Sequence, residues 1–507
     1  MKKIHVNQLG YHGSDVKKAV IALDSDAFEI VRVSDNTIAF SGATAEAVYD
    51  EASAENVCVA DFSGFSEEGT FVISVGTERS FPFVIGENPY IGLRSALLEM
   101  FNYQKCGVAI DKGIWSHPAC HYSPATIYGT GEKKDVSGGW HDAGDYGRYI
   151  VPAAMAVADL LLAYELSPNP APEILDVTWF EIEWMLKMQC EKTGGVYHKV
   201  SCRIFNAMDE LPQDEKDELI ICPITLTATA DFAAAMALAS RFYPVKKAVL
   251  MDAAKRAWDW CEQNPDAPNF VNPPDIGTGA YGDTISKDEI FWAACELFAA
   301  TGDEKYHDVI KQSEIYVGLG WADMGTFGIA AYLSAASADP ALLTEMKNTL
   351  HSVCEEIIQK FRNEPYGTSL GTTYRWGSNL DIANNAMTLL LYSKLAEKNP
   401  EYENAAREHM HYILGRNPLS QSYITDFGSL APKNPHHRPS IAVDAAFPGM
   451  VVGGPNPTTP RDTVLQLHCE GNPPSKFYID NQESFAANEI AIYWNSAVYF
   501  VVSLLDI

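Results

Sequence analysis

The strip Ser137 to Tyr149, Ser-Gly-Gly-Trp-His-Asp-Ala-Gly-Asp-Tyr-Gly-Arg-Tyr, concentrates the residues best suited to chemistry. Its paired glycines allow backbone geometries that other residues avoid. Asp142 and Asp145 set two carboxylates three residues apart, just ahead of an apolar helical pattern at 148–166. A helix start holds carboxylates as anions through its dipole and free N–H groups, which favours a base over an acid. The same spacing suits a plain cap, with Asp145 capping and Asp142 solvated. Far along the chain, Asn488-Glu489-Ile490-Ala491 opens the last apolar stretch. A carboxyl just inside that helix would be partly buried, and desolvation would lift its pKa toward that of a general acid. The plainer alternative makes Asn488 a cap and Glu489 a first-turn acid.

Cys106, Cys120-His121 and His141 form a second group. Two thiolates and two imidazoles are the usual makeup of a closed structural zinc site. Their spacing is not that of a zinc finger, so on arithmetic alone buried cysteines and scattered histidines are the simpler reading. Two further motifs mislead. Gly277-Thr278-Gly279-Ala280-Tyr281-Gly282 fits the dinucleotide pattern, but Asn272-Pro273-Pro274-Asp275 stands where a central strand is required. Gly367-Thr368-Ser369-Leu370-Gly371 fits the nucleophile elbow but lacks its strand and following helix.

The elements that must carry these residues change kind near residue 86. Before it, β-rich runs at 3–6, 19–23, 28–33, 57–59, 70–75 and 80–85 alternate with turn signals, predicting a small antiparallel sandwich over 1–86. Gly86-Glu87-Asn88-Pro89 marks the boundary. From residue 90 to 507 the apolar period becomes helical, with about eleven helices at 91–106, 148–166, 173–190, 225–243, 246–263, 286–301, 326–337, 341–362, 384–397, 402–414 and 488–505. Long loops at 107–147, 193–222, 264–285, 363–383 and 415–487 are expected to do the work on that helical scaffold. Asp214-Glu215-Lys216-Asp217-Glu218 reads as a solvated loop.

Composition narrows the partners. Over 507 residues, 47% are hydrophobic and the net charge is −29. The first figure excludes disorder for most of the chain, and the second disfavours nucleic acid and anionic membranes. The apolar stretch Ile490–Leu505 is too short to span a bilayer and reads as a buried helix. Ten sparse cysteines and no apolar segment after Met1-Lys2-Lys3 predict a reducing, cytoplasmic setting, or a secreted one if a leader has been removed.

Five motifs in order resemble glycoside hydrolase family 9, the inverting cellulase family: 138–145, Trp376-Gly377-Ser378-Asn379, Asn434-Pro435-His436-His437-Arg438-Pro439, Gly453-Gly454-Pro455-Asn456 and 488–491. Val6-Asn7-Gln8-Leu9-Gly10-Tyr11 resembles the immunoglobulin-like module that often precedes that catalytic domain. The resemblance implies an immunoglobulin-like β-sandwich followed by an all-α (α/α)6 barrel of twelve helices, one more than the periodicity shows. It implies Asp145 as base, Asp142 as its partner in holding the attacking water, and Glu489 as general acid. It implies His436 and Arg438 as sugar-binding residues. Trp376, Trp321 and Trp140 are candidate stacking platforms because a sugar's apolar face packs on aromatic rings, and Tyr478 is a candidate for the cleft wall. It further implies structural zinc on Cys106, Cys120, His121 and His141, and it admits calcium without naming ligands. The expected activity is inverting hydrolysis of β-1,4-glucosidic bonds in cellulose-type glucans or cello-oligosaccharides by a monomer. The alternatives are an exo-β-glucosaminidase acting on chitosan oligomers and a non-catalytic carbohydrate-binding protein.

Overall fold

The computed structural model describes residues 2–507. Its N-terminal part is a two-sheet sandwich. One sheet runs Ile4–His5, Lys18–Ile21, Glu55–Asp61, Val48–Asp50. The other runs Gly10–Tyr11, Phe83–Ile85, Gly69–Val75, Ala27–Arg32, Ile38–Ala43, with Glu78–Arg79 paired to Gly69–Val75. Tyr11, Phe28, Phe62, Phe65, Phe71 and Phe83 fill the space between the sheets. The strand Ile38–Ala43 escapes the sequence pattern because it is an edge strand with no fully buried residue. The sandwich is bolted to the helical part by buried polar contacts: Asn7 Nδ2 lies 2.9 Å from His411 Nδ1, and Gln8 Nε2 donates to the Ser420 carbonyl at 2.6 Å.

Twelve helices of nine residues or more follow, alternating between two rings. The inner ring is Ile150–Leu166, Leu226–Ala239, Lys287–Thr301, Gly325–Leu333, Ser378–Leu395 and Ile492–Leu505. Each packs on the next and the last closes on the first, forming an (α/α)6 toroid. These helices are apolar on nearly every side because they have protein on every side; all residues of Leu226–Ala239 and Ile492–Leu505 are buried. The outer ring is Leu93–Tyr103, Glu173–Met188, Lys247–Gln263, Glu304–Gln312, Pro340–Asn363 and Pro400–Ile413. Its members show one apolar stripe: Pro340–Asn363 buries Met346, Leu350, Cys354, Ile357 and Ile358. Asp339 and Asn399 cap the helices begun by Pro340 and Pro400.

The twelfth helix, Glu304–Gln312, is the one the periodicity misses. It is short and mostly charged, burying only Tyr306, His307 and Ile310, although the Asp303 cap stands in the sequence. A second correction concerns the loops. Segments read as loops, together with the first two residues of the helix read at 148–166, build a five-stranded sheet ordered Lys133–Lys134, Ala125–Ile127, Ile220–Ile221, Lys199–Ser201, Arg148–Tyr149. Its strands are two or three residues long, below what alternation can reveal. Among the described residues no helix is long and apolar enough to cross a membrane.

Candidate active site and metal centre

Four separate strips of chain meet beside the toroid through main-chain bonds. Ile492 N donates to Asp142 O at 2.8 Å, His436 N to Asn488 O at 2.8 Å, and Gly453 N to Glu489 O at 3.0 Å. Arg438 reaches the Gly144 carbonyl with Nη1 at 2.9 Å. A Cβ on Gly144 would lie 2.1 Å from the His436 carbonyl oxygen, so only glycine permits this approach. Gln104 joins the strips: its Nε2 donates to His141 O and Ala143 O at 3.0 Å each, and its Oε1 accepts from His437 Nε2 at 2.9 Å.

Above this knot lies a cavity of about 1130 Å³. Asp142, Asp145, Glu489, His436, Arg438, Trp321 and Trp376 all line it. The helix-start account of the aspartates does not hold. Strand Arg148–Tyr149 intervenes, and the helix begins at Ile150 with Tyr149 at its cap position. Asp145 Oδ2 instead accepts from Gly147 N at 2.9 Å and Tyr149 Oη at 3.3 Å. Asp142 Oδ2 accepts from Tyr281 Oη at 2.5 Å, while Oδ1 has no protein partner. Burial, with the charge of Asp145 added, pushes Asp142 well above the usual carboxylate range, the reverse of the dipole expectation.

Glu489 also lies outside the last helix, which starts at Ile492; it follows the short helix Phe485–Asn488 in extended conformation. Burial raises its pKa well above normal, and Asp145 and Asp142 add to the shift; Arg438 and the Gly144 amide oppose it. The direction of the pKa shift is the one the sequence reading expects, but the environment responsible is the strip junction, not a helix turn.

His436 donates through Nδ1 to Gln482 O at 2.7 Å, and burial holds its pKa down to about 4. The ring is therefore neutral, with Nε2 as its acceptor. Trp376 is 37% exposed, with Arg461 5.6 Å over its ring. Trp321 meets Tyr281 edge-on at 5.2 Å. Two aromatic assignments are corrected. Trp140 is 1% exposed and packs on Phe101 at 4.7 Å, in the core beneath the strip. Tyr478 is buried behind the cleft, its hydroxyl donating to Asn488 Oδ1 at 2.6 Å. Neither lines the cavity.

Sequence reasoning missed Tyr281, Tyr149, Arg461 and Gln104. The signal for Tyr281 was present in the glycine-rich motif at 277–282. No strand leads into that motif and the next helix starts only at Lys287; Gly277 to Tyr281 instead form one cavity wall, with Tyr281 at φ 48°.

On the far side of the same strip, Cys106, Cys120, His121 and His141 place one ligand atom each within 4.8 Å of one another, all buried. Cys106 Sγ is 3.6 Å from His121 Nδ1, Cys120 Sγ is 3.9 Å from His141 Nε2, and the two nitrogens are 3.4 Å apart. A tetrahedral ion with bonds of about 2.3 Å to sulfur and 2.0 Å to nitrogen needs separations of about 3.5 Å and 3.3 Å. The donors thus fit a metal ion. Among the described residues this is the one such group, and calcium keeps no named ligands.

A helical toroid with three carboxylates lining one cavity among polar and aromatic side chains has the layout of an enzyme that cleaves glycosidic bonds. The chain belongs to glycosyl hydrolase family 9, whose model matches residues 90–502. Residues 1–80 match the cellulase N-terminal ig-like domain. A cellodextrinase of Butyrivibrio fibrisolvens is 35% identical, the alignment covering 99% of each chain. A thermostable endoglucanase structure from Alicyclobacillus acidocaldarius superposes with a TM-score of 0.94 at 37% identity, covering 100% of both chains. A zinc-binding triple mutant of a family 9 endoglucanase superposes at 0.91 with 30% identity, covering 97% of this chain and 99% of its own.

Proposed function

We propose that this glycoside hydrolase cleaves β-1,4-glucosidic bonds in cello-oligosaccharides and soluble cellulose-type glucans, with inversion at the anomeric carbon. The supporting observation is the placement of Asp142, Asp145 and Glu489 on the wall of one cavity with His436, Arg438, Trp321 and Trp376. The names of the curated relatives point to the same substrate class.

In this reading Asp145 is the base. Its carboxylate is oriented by the Gly147 amide and the Tyr149 hydroxyl, and it takes a proton from the attacking water. Asp142, with one oxygen on Tyr281 and the other free of protein, helps hold that water. Glu489 holds its proton more tightly than an ordinary carboxyl because its surroundings disfavour the charge, and it protonates the departing glycosidic oxygen. His436 and Arg438 bind sugar hydroxyls, and Trp321 and Trp376 offer ring faces to the chain.

Cys106, Cys120, His121 and His141 would hold zinc, which soft thiolates and imidazoles select over calcium or magnesium. Its contribution would be structural, pinning the backbone ahead of Asp142. Product profiling on a cellodextrin ladder, with chitosan oligomers run in parallel, tests the substrate assignment. Release of shorter cellodextrins is expected; cleavage of chitosan oligomers alone would refute it.

A further inference from the structure

The segment between strands Lys199–Ser201 and Ile220–Ile221 contains the charged run 214–218, which looks solvated in sequence. The structure buries one member of that run. The Glu215 side chain is 5% exposed, and its Oε2 lies 2.7 Å from His121 Nε2. A carboxylate only accepts, so His121 donates from Nε2 and leaves Nδ1, the atom facing Cys106 and His141, free to bind a metal ion.

The same segment also forms part of the cleft. Phe205 and Met208 line the cavity, and Phe205 lies 5.5 Å from the Arg438 guanidinium. Arg438 Nη2 donates to Asn206 O at 3.1 Å. A second tie returns to the cysteine–histidine cluster. Tyr146 lies 4.9 Å from the His141 ring and 5.5 Å from the His121 ring, and its hydroxyl donates to Glu210 O at 2.6 Å. The segment is therefore held to the cluster at Glu215 and Glu210 and delivers its other end to the substrate cavity.

We propose that Glu215 is a positioning residue through which the metal centre sets the cleft wall formed by Phe205 and Met208. Loss of the metal or of Glu215 then weakens glucan binding without removing any group that moves a proton. The proposal rests on reading the cluster as a zinc site and the cleft as a glucan site.

The test compares wild type, Glu215→Gln, Glu215→Ala and Phe205→Ala as full-length proteins. Zinc content, zinc release to a chelator, and kcat and KM on cellopentaose are measured for each. Glutamine keeps an acceptor for His121 Nε2 and should behave like wild type. Alanine should release zinc faster and raise KM roughly three- to tenfold, the weight of one aromatic contact, with kcat within about twofold. Phe205→Ala should show the same KM rise with normal zinc retention. Chelator-stripped wild type should match Glu215→Ala in KM. An unchanged KM in Glu215→Ala, or a wild-type KM in the stripped enzyme, would overturn the coupling. Wild type purified with under about a tenth of an equivalent of zinc would instead overturn the metal reading, and the coupling with it. Absence of any cellopentaose cleavage by wild type would overturn the substrate reading separately.

Discussion

His141 and Asp142 are neighbours in the chain, yet they face two differently built sites. His141 turns into a closed cluster in which four donors lie at the separations a tetrahedral ion requires. Asp142 turns into an open cavity that Asp145 and Glu489 also line, and burial lifts its pKa well above the usual carboxylate range. A bound metal ion would stiffen the first arrangement through its coordination geometry, whereas in the second burial disfavours the charged form of Asp142 and Glu489. Between the two sites, Gln104 Nε2 holds the carbonyls of this strip at 141 and 143.

The largest expected effects fall on the open side. Glu489→Gln should lower hydrolysis of unsubstituted cellodextrins by about 10²–10⁴-fold while sparing aryl glycosides with good leaving groups, since an acid is needed in proportion to leaving-group basicity. Equal losses on both substrate types would remove Glu489 from that role. Asp145→Asn should lose activity on both types by a similar factor, and Asp142→Asn should follow the same pattern less severely. Full activity in Asp145→Asn would leave the base unassigned.

On the closed side, Cys120→Ser should lower the unfolding midpoint by on the order of 5–10 °C and reduce activity together, because a hydroxyl is a poor zinc ligand. Calorimetry beside elemental analysis checks this; undiminished stability in a metal-free variant would dissolve the contrast between the two sites. Tyr281→Phe removes one hydrogen bond to a carboxylate and should cost roughly tenfold in kcat at constant zinc content. A loss of zinc there would show that the sites are less separate than their geometry.

The smallest effect concerns pH. Glu489 must be protonated to act, and its pKa is raised, so activity on cellodextrins should fall as pH rises through that raised value. The same alkaline limb should be weaker on aryl glycosides. Identical pH profiles for the two substrate types would argue against a raised glutamate as the limiting acid.

Residue type and spacing alone left Cys106, Cys120, His121 and His141 as buried cysteines and scattered histidines; the family resemblance singled them out, and the fold brings their donor atoms within 4.8 Å of one another. Order of motifs made the carboxylates legible, but not their surroundings. The helix-start argument failed because the strand Arg148–Tyr149 is two residues long, too brief for any periodic signal. Glu489 was placed inside a helix because Ile490-Ala491 continue the apolar run, whereas bridges to Val452 and Ala143 draw both residues into extended chain. Trp140 was offered to sugar as an aromatic ring, yet Phe101 and Glu181 claim its ring and backbone amide. Tyr281 and Gln104 act through contacts 139 and 37 residues away in sequence, which no local pattern carries.

The central claim is that a base and an acid on opposite sides of a glucosidic bond use one water in a single displacement. The direct measurement is the anomeric form of the first product, followed by proton NMR during the opening minutes of cellopentaose hydrolysis, before mutarotation. The α-anomer should appear first and the β-anomer only as mutarotation proceeds. A β-anomer appearing first would mean a covalent intermediate and two displacements, and would contradict the roles given to Asp145 and Glu489.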